Sequence, residues 1–239
     1  MKHNYGKFES VKFEYRRKDF YEYIDYLDNE NISLTDLLEH FTAYVGHMSI
    51  NRFLTLYEYY KKTINVAGHI AEIGIYKGAG TLFFAKLVKI FENESLTQVH
   101  GFDWFKGAPK GGDEDTGLVK EGSYQYSYNK LMELVNLQKL DHIIRIHNLD
   151  VITQIKSFFS SYKHLQFKMV FMDAGIYEVM KAAIPIFWER LTPGGIMVFD
   201  QNSHELGPGE TTAIREFLPN VKIMTLQNTW MPNAYAVKS

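Results

Sequence analysis

Short apolar runs alternate with longer amphipathic segments along the chain from residue 70 onward. The apolar runs lie at residues 70–73, 99–103, 143–146, 169–172, 196–199, 222–225 and 234–237. Between several of them, apolar positions recur at helical spacing, at residues 80–91, 129–137, 154–159 and 179–191. This alternation predicts an α/β fold of the Rossmann-like type, with seven mostly parallel strands and helices on both faces. The last two strands follow each other closely, so we expect an antiparallel hairpin at one edge.

The first 66 residues have a different pattern, with apolar positions at helical spacing and no strand signal. They predict helices near residues 19–27, 34–41 and 49–64. We therefore divide the chain into an N-terminal helical cover, residues 1–66, and a ligand-binding sheet domain, residues 67–239. The N-terminal helices either only cover the sheet or form a lid or subunit interface beside the active site.

Composition and charge narrow the classes of function. The chain has 239 residues, is 46% hydrophobic and 23% charged, and carries a formal charge of −2. This balance argues against nucleic acid or an anionic membrane as the main partner, because binding to phosphate groups needs a basic surplus. The absence of cysteine excludes disulfides, thiolate zinc sites and cysteine nucleophiles. Without an apolar signal segment or membrane span, we expect a cytoplasmic protein.

A glycine-rich turn follows the first predicted strand. Gly74, Gly78 and Gly80 allow a tight turn and bring the bare backbone close to a ligand. Such turns also bind dinucleotides or serve packing alone. However, the spacing departs from G-x-G-x-x-G, and Glu72 directly precedes the turn. A carboxylate at that position suits the cationic groups of S-adenosylmethionine better than a pyrophosphate.

Polar residues also follow the second and third predicted strands. Asp103 is placed to accept hydrogen bonds from both hydroxyls of a ribose, although a helix cap is an alternative. In the next turn, Asn148 and Asp150 would lie beside the adenine, where Asp150 is either an acceptor for the adenine amino group or an ordinary turn residue.

Asp173 and Asp200 follow the fourth and fifth predicted strands. Because the carboxyl ends of neighbouring parallel strands face one crevice, we expect the two carboxylates to converge where the methyl group is exposed. Adjacent carboxylates are costly unless they are protonated or bridged by a cation, so a divalent ion is a natural partner. Two capping residues at strand ends remain the alternative.

One long segment, residues 106–122, is rich in glycine and acidic residues and is predicted as a loop. Loops of this length are often binding elements. It would close over an acceptor, with Trp104, Phe105 and Tyr124 either stacking on a sugar ring or simply packing.

Taken together, these motifs resemble the macrocin O-methyltransferase family, a group of class I, metal-assisted sugar O-methyltransferases. The resemblance rests on residues 71–81, 101–109, 173–177 and 191–195 together with Asp200, and it covers roughly residues 70–218. It implies that Glu72, Gly74 and Gly78 hold the methionine part of the cofactor, Asp103 the ribose, and Asp173 and Asp200 a metal ion. The full expected cofactor set is Glu72, Gly74, Tyr76, Gly78, Asp103, Trp104, Asn148, Asp150 and Asp173.

Two positions depart from the family pattern. Gly175 stands where the family has an acid often proposed as general base, and Gln201 stands where it has a second aspartate. An amide oxygen binds Mg²⁺ without adding charge, so the expected metal set Asp173, Asp200 and Gln201 has a reduced affinity. His204 is the best replacement base, although an exposed loop histidine without a catalytic role is an alternative; Asp173 is the other expected catalytic residue. His47 and Glu205 are weaker candidates.

We therefore predict an S-adenosylmethionine-dependent O-methyltransferase that acts on a sugar or nucleotide sugar, with Mg²⁺ as a possible second cofactor. We expect a homo-oligomer. Two alternatives are a nicotinamide-dependent oxidoreductase on a similar sheet and a non-catalytic, methyltransferase-like binding module.

Overall fold

The fold is described by a computed structural model, which covers residues 14–205, 207–227, 229 and 231–239. The strands of this part of the chain are β1 His69–Ile73, β2 Val99–Asp103, β3 Ile144–Asn148, β4 Phe167–Met172, β5 Leu191–Phe199 and β6 Ala234–Val237. The helices are α1 Glu14–Asn29, α2 Leu34–Glu39, α3 Phe41–Tyr44, α4 His47–Thr63, α5 Ala79–Phe91, α6 Tyr128–Leu137, α7 Val151–Ser161, α8 Tyr177–Glu189 and α9 Pro208–Phe217. None of the helices in these ranges is both long and apolar enough to cross a membrane.

The strands form one twisted sheet in the order β3-β2-β1-β4-β5-β6. All neighbouring strands are parallel except β6, which runs antiparallel to β5. The strands β1, β4 and the second half of β5 are buried almost throughout, which is why they read as continuous apolar runs. The predicted Rossmann-like sheet, with its antiparallel edge, is confirmed.

The prediction of a seventh strand at residues 222–225 is wrong for the part of the chain that the structure describes, where the sheet has six strands. Met224 makes only an isolated bridge with Tyr235. The neighbouring Thr225 turns its hydroxyl to the carbonyl of Asn233, at 2.7 Å, instead of extending a strand ladder. A side-chain hydrogen bond to the backbone thus replaces the second half of the expected hairpin.

Helix α4 belongs to the core as well as to the N-terminal segment. Leu56, Tyr59 and Tyr60 lie on one face of it, spaced by three and four residues, and are fully buried. Helix α4 packs on α5 and on strands β4 and β5, whereas α2 and α3 bury no residue. The buried stripe of α4 continues one turn earlier to position 52, so the helix directs that residue toward the carboxyl ends of β4 and β5.

Three histidines lie side by side on the neighbouring strands β1, β2 and β3. The ring of His100 packs between those of His69 and His147, and its Nδ1 lies 3.0 Å from Nε2 of His147. Burial lowers the pKa of His100 to about 3 and that of His147 to about 4. The folded protein therefore keeps both rings neutral at pH values at which an unfolded chain is protonated.

We expect this cluster to make stability depend on pH in the acid range. The contribution is fully present above the unfolded pKa of about 6.5 and is lost as the pH falls toward the folded values. Replacing His100→Gln should reduce the loss of unfolding free energy between pH 7 and pH 5 by up to about 2 kcal/mol. Urea denaturation at both pH values measures this, with His142→Gln, at an exposed site, as control. Equal pH dependence in the wild type and His100→Gln would contradict it.

Candidate functional site

A cavity lies at the carboxyl ends of the strands, where the order of the sheet reverses between β1 and β4. This topological switch point is where open α/β sheets bind ligands. The cavity has a volume of about 330 Å³. Its lining includes eight residues of the expected site or lid: Gly74, Tyr76, Asp103, Trp104, Tyr124, Asp173, Asp200 and Gln201.

The glycine turn after β1 brings two strand ends into close contact. Gly74 has a φ of 84°, and a Cβ there would lie 2.4 Å from the carbonyl oxygen of Asp173. Only glycine fits both the left-handed backbone and this approach. Gly78 likewise has a φ of 81° and begins α5 as its N-cap. The turn thus sets the distance between the β1 corner and the carboxylate that follows β4.

Asp103 fixes the same turn from the side of β2. Its Oδ2 accepts the backbone N–H groups of Ile75 and Tyr76, each at 3.0 Å, and its Oδ1 accepts that of Phe105 at 2.6 Å. Burial raises the pKa of Asp103, while these amides oppose the rise. Asp103 lines the cavity, and its oxygens retain acceptor capacity for ligand hydroxyls.

Glu72 lies beneath the turn and not in the cavity lining. Its carboxylate is 2% exposed, accepts a hydrogen bond from the Thr81 hydroxyl, and occupies the space beside Gly80. Burial raises the pKa of Glu72 to about 7. Glu72 was expected to hold the methionine part of the cofactor, whereas in the structure its carboxyl contacts the first turn of α5 and does not line the cavity.

Arg52 joins the two aspartates that follow β4 and β5. Its Nη2 lies 2.7 Å from Oδ2 of Asp173, and its Nη1 lies 2.7 Å from Oδ1 of Asp200. Burial lowers the pKa of the guanidinium, but Asp200 and Asp173 more than offset this and raise it above its usual value. Burial and the proximity of Asp200 raise the pKa of Asp173 well above the ordinary aspartate range. The carboxylates therefore converge as predicted, around an arginine that the sequence did not indicate.

The third expected metal ligand, Gln201, lines the cavity, but its side-chain oxygen lies beside two glycines. Oε1 of Gln201 is buried without a hydrogen-bond partner and lies against the backbone of Gly175 and Gly207. The backbone N–H of Gln201 donates to Glu210 at 2.7 Å, and burial raises the pKa of that fully buried acid. In residues 14–205, 207–227, 229 and 231–239, no three acidic or histidine side chains form a group suited to a metal ion. With both aspartates held by a guanidinium and a neutral amide as third donor, this arrangement does not fit a divalent ion.

Other expected residues lie at the margin of the site. Asp150 is the N-cap of α7 and accepts from the backbone N–H of Ile152 at 2.9 Å and from the Thr153 hydroxyl at 2.7 Å. Asn148 is exposed at the end of β3, and His204 lies in the turn after β5. Among the described residues that line the cavity, none of these three is present. Burial lowers the pKa of His204.

The long segment over the cavity is folded against the helices. Oδ1 of Asp115 accepts a hydrogen bond from the backbone N–H of Tyr177, the first residue of α8, at 3.2 Å. Its Oδ2 accepts one from the backbone N–H of Gly112 at 3.0 Å. Gly107, Ala108, Pro109 and Val119 form one wall of the cavity. Tyr76 and Tyr124, both at positive φ, also line the cavity, and their rings meet edge to face with centres 5.4 Å apart. The predicted loop thus forms part of the pocket.

The fold and this arrangement of acids agree with comparison to known families. The family model described as a methyltransferase domain matches residues 71–201, which is more than half of the chain. The chain belongs to this methyltransferase family. The match spans the glycine turn, Asp103, Asp173 and Asp200, and it supports the use of S-adenosylmethionine. It also speaks against the nicotinamide-dependent alternative.

Solved structures show the same fold for the methyltransferase at low sequence identity. CalS11, a calicheamicin methyltransferase, superposes with a TM-score of 0.83 at 20% identity, over 97% of this chain and 95% of that one. The O-methyltransferase NovP superposes with a TM-score of 0.62 at 16% identity, over 80% of each chain. None of the curated proteins compared with the chain matches it.

Two polar residues of the methyltransferase site were missed from the sequence, Arg52 and Asp115. Arg52 lies in the segment predicted either as a helical cover or as a lid or subunit interface, and its position one turn before the apolar stripe of α4 was a usable signal. Asp115 is one of several acids in the loop, and nothing in the local pattern distinguishes it.

We expect Asp103→Ala to weaken cofactor binding and to destabilise the methyltransferase. The change removes the acceptor of three backbone N–H groups and the predicted acceptor for the ribose. Titration calorimetry with S-adenosylhomocysteine should show a loss of affinity of about tenfold or more.

Ser127→Ala is the matched control for this change. It removes the side-chain acceptor at the N-cap of α6 and should cost about 1 kcal/mol of stability while leaving the cofactor affinity near the wild-type value. Unchanged affinity in Asp103→Ala would remove the ribose assignment. A loss of affinity in Ser127→Ala as large as that in Asp103→Ala would assign the effect to destabilisation and not to the ribose contact.

Proposed function

We propose that the chain is an O-methyltransferase that transfers the methyl group of S-adenosylmethionine to a hydroxyl of a small sugar-containing acceptor. The observation that carries this proposal is the pairing of Asp173 and Asp200 at the edge of a cavity bounded on another side by Asp103. One end of the cavity suits a nucleoside, and the other presents carboxylates to a reacting hydroxyl. Another CalS11 structure, described as a TDP-rhamnose 3′-O-methyltransferase, superposes with a TM-score of 0.75 at 19% identity, over 99% of each chain. The activity of this neighbour motivates the choice of acceptor class.

In the proposed complex, the bare backbone of the glycine turn faces the methionine part of the cofactor, and Glu72 contributes negative potential beneath it. Asp103 accepts from the ribose, and the side chains of Tyr76 and Trp104 flank the nucleoside. Asn148 and Asp150 remain a proposal for the adenine end, for which Asp150 would need to bind while still capping α7. Supporting evidence for the central part is the contact of Asp103 with both the turn and the cavity.

The proposed reaction is a direct displacement at the methyl carbon. The acceptor oxygen forms the new O–CH₃ bond as the C–S bond breaks, and the bonding electron pair stays on sulfur, which gives S-adenosylhomocysteine. The hydroxyl proton passes to a base. Alignment of the hydroxyl, carbon and sulfur is the main contribution of the protein, worth up to about 7–11 kcal/mol in well-oriented systems.

Asp173 is the favoured base, because it lines the cavity and because burial and Asp200 raise the pKa of its carboxyl, which makes that group a better proton acceptor. His204 is the second candidate and would need to move from its turn to reach the cavity. Magnesium has no step in this mechanism, since Arg52 holds both carboxylates.

Three further proposals concern the surroundings of the site. Helices α1–α3 are proposed as the cover expected for the N-terminal segment. Leu34, Leu38 and Phe41 are more than half exposed on α2 and α3, and this motivates the proposed homo-oligomer. A cytoplasmic location stays a prediction from the sequence.

Incubation with labelled S-adenosylmethionine and a panel of nucleotide sugars tests the proposed function. We expect transfer of label to at least one sugar, and Asp173→Asn should lower kcat by about 10²–10⁴-fold through loss of the base. His204→Ala is the comparison and should retain most of the turnover. The reverse ranking would assign the base to His204. If S-adenosylhomocysteine binds but no sugar is labelled, the acceptor class is wrong.

A further inference from the structure

The guanidinium of Arg52 lies where a bridging cation is needed. It contacts one oxygen of Asp173 and one of Asp200, with both N–O distances at 2.7 Å. Each terminal nitrogen bonds one carboxylate, so one planar group satisfies both acids in charge-assisted hydrogen bonds. Asp200 is 3% exposed, and a carboxylate this buried requires such a partner.

The position of the guanidinium is set by a helix that packs in the core, although the Arg52 side chain itself is 29% exposed. Arg52 lies one turn before Leu56 on the buried face of α4, and its guanidinium carbon is 5.6 Å from the centre of the Phe171 ring. Phe171 belongs to β4, the strand that leads to Asp173. Helix and strand therefore carry the arginine and the aspartate to the same point, and the pair does not depend on a mobile side chain at the rim.

A divalent ion at the same carboxylates would have to lie beside this fixed positive charge. It would repel the guanidinium, and it would lack a third charged ligand, because Gln201 offers only a neutral oxygen turned toward Gly175 and Gly207. Arg52 and the sulfonium of the cofactor already supply two positive charges opposite the two aspartates. The balance of charge is complete without a metal.

We propose that Arg52 takes the place of a metal ion in this methyltransferase, holding Asp173 and Asp200 together at the acceptor end of the cavity. The inference rests on the proposed function for its meaning in catalysis, but it concerns a property of the chain that can be measured without an acceptor. Arg52 is a positioning residue, which acts on the acceptor through the two carboxylates. Methyl transfer then requires no divalent ion.

The first test is metal binding by the wild-type protein. Titration with Mn²⁺, followed by electron paramagnetic resonance, should show no stoichiometric binding up to about 1 mM. The dissociation constant for Mn²⁺ therefore lies above that concentration. EDTA should leave the melting temperature unchanged. Tight binding of Mn²⁺ that Asp200→Asn abolishes would overturn the proposal.

The second test removes the charge. Arg52→Met keeps an unbranched side chain but leaves two carboxylates without a cation, so its affinity for Mn²⁺ should rise by at least about tenfold above that of the wild type. Mn²⁺ should also restore part of the melting temperature that the variant loses. A purely structural role for Arg52 predicts the loss of stability but no gain of metal affinity.

Two variants serve as controls. Arg52→Lys keeps the positive charge and should gain no affinity for Mn²⁺; a gain equal to that of Arg52→Met would show that space and not charge excludes the metal, and would overturn the proposal. Lys61→Met removes a cation from the same helix at an exposed pair with Glu58 and should behave as the wild type. If Arg52→Met does not fold, the wild-type and Arg52→Lys titrations still decide.

Binding of S-adenosylhomocysteine separates this proposal from the proposed function. If the wild type binds no S-adenosylhomocysteine, the proposed function fails, while the Mn²⁺ titrations still decide the role of Arg52. If Arg52→Met loses affinity for S-adenosylhomocysteine and gains none for Mn²⁺, Arg52 is a clamp for the cofactor and the proposal is overturned.

Discussion

The structure of the site depends on how a group of buried acids is neutralised. Glu72, Asp173, Asp200 and Glu210 all lie at or beneath the carboxyl ends of the central strands, and Arg52 contacts two of them. Two adjacent carboxylates, that of Asp200 buried and that of Asp173 about a quarter exposed, are costly without a cation or a proton. The guanidinium of Arg52 compensates the charge of the two aspartates. Burial raises the pKa of both glutamates, which favours their protonated, neutral form. A site that must attract a sulfonium thus retains negative charge near the cavity without destabilising the fold.

Hydrogen bonds from backbone amides to acidic side chains also hold the strand ends in place. Asp103 binds the N–H groups of the glycine turn, and Glu210 binds that of Gln201, so each acid fixes the backbone next to a strand end. Because Gly74 lies against the carbonyl of Asp173, the corners after β1, β2, β4 and β5 form one connected unit. Rigid corners are what alignment of a methyl donor and an acceptor requires.

The sheet and its acids were predictable because their signals are local. Each strand is a short apolar run, and Asp103, Asp173 and Asp200 each end one, so a parallel sheet brings them to one edge. Arg52 was not predictable in the same way, since 121 and 148 residues separate it from its two partners. The prediction of the seventh strand was wrong for a related reason. The Thr225 hydroxyl donates to the carbonyl of Asn233, and the local sequence does not reveal this side-chain hydrogen bond.

The place of Arg52 on α4 also changes what the N-terminal helices mean for function. A helix that buries Leu56, Tyr59 and Tyr60 cannot swing away from the sheet without opening the core, so its arginine is a permanent part of the site. A metal ion, in contrast, exchanges with solvent and depends on its concentration. Placing the cation on a packed helix ties the charge balance of the site to folding itself. Loss of that one guanidinium would leave the repulsion between Asp173 and Asp200 unbalanced. Substitution of Arg52 is therefore the change that best separates the stability of the fold from the chemistry of the site.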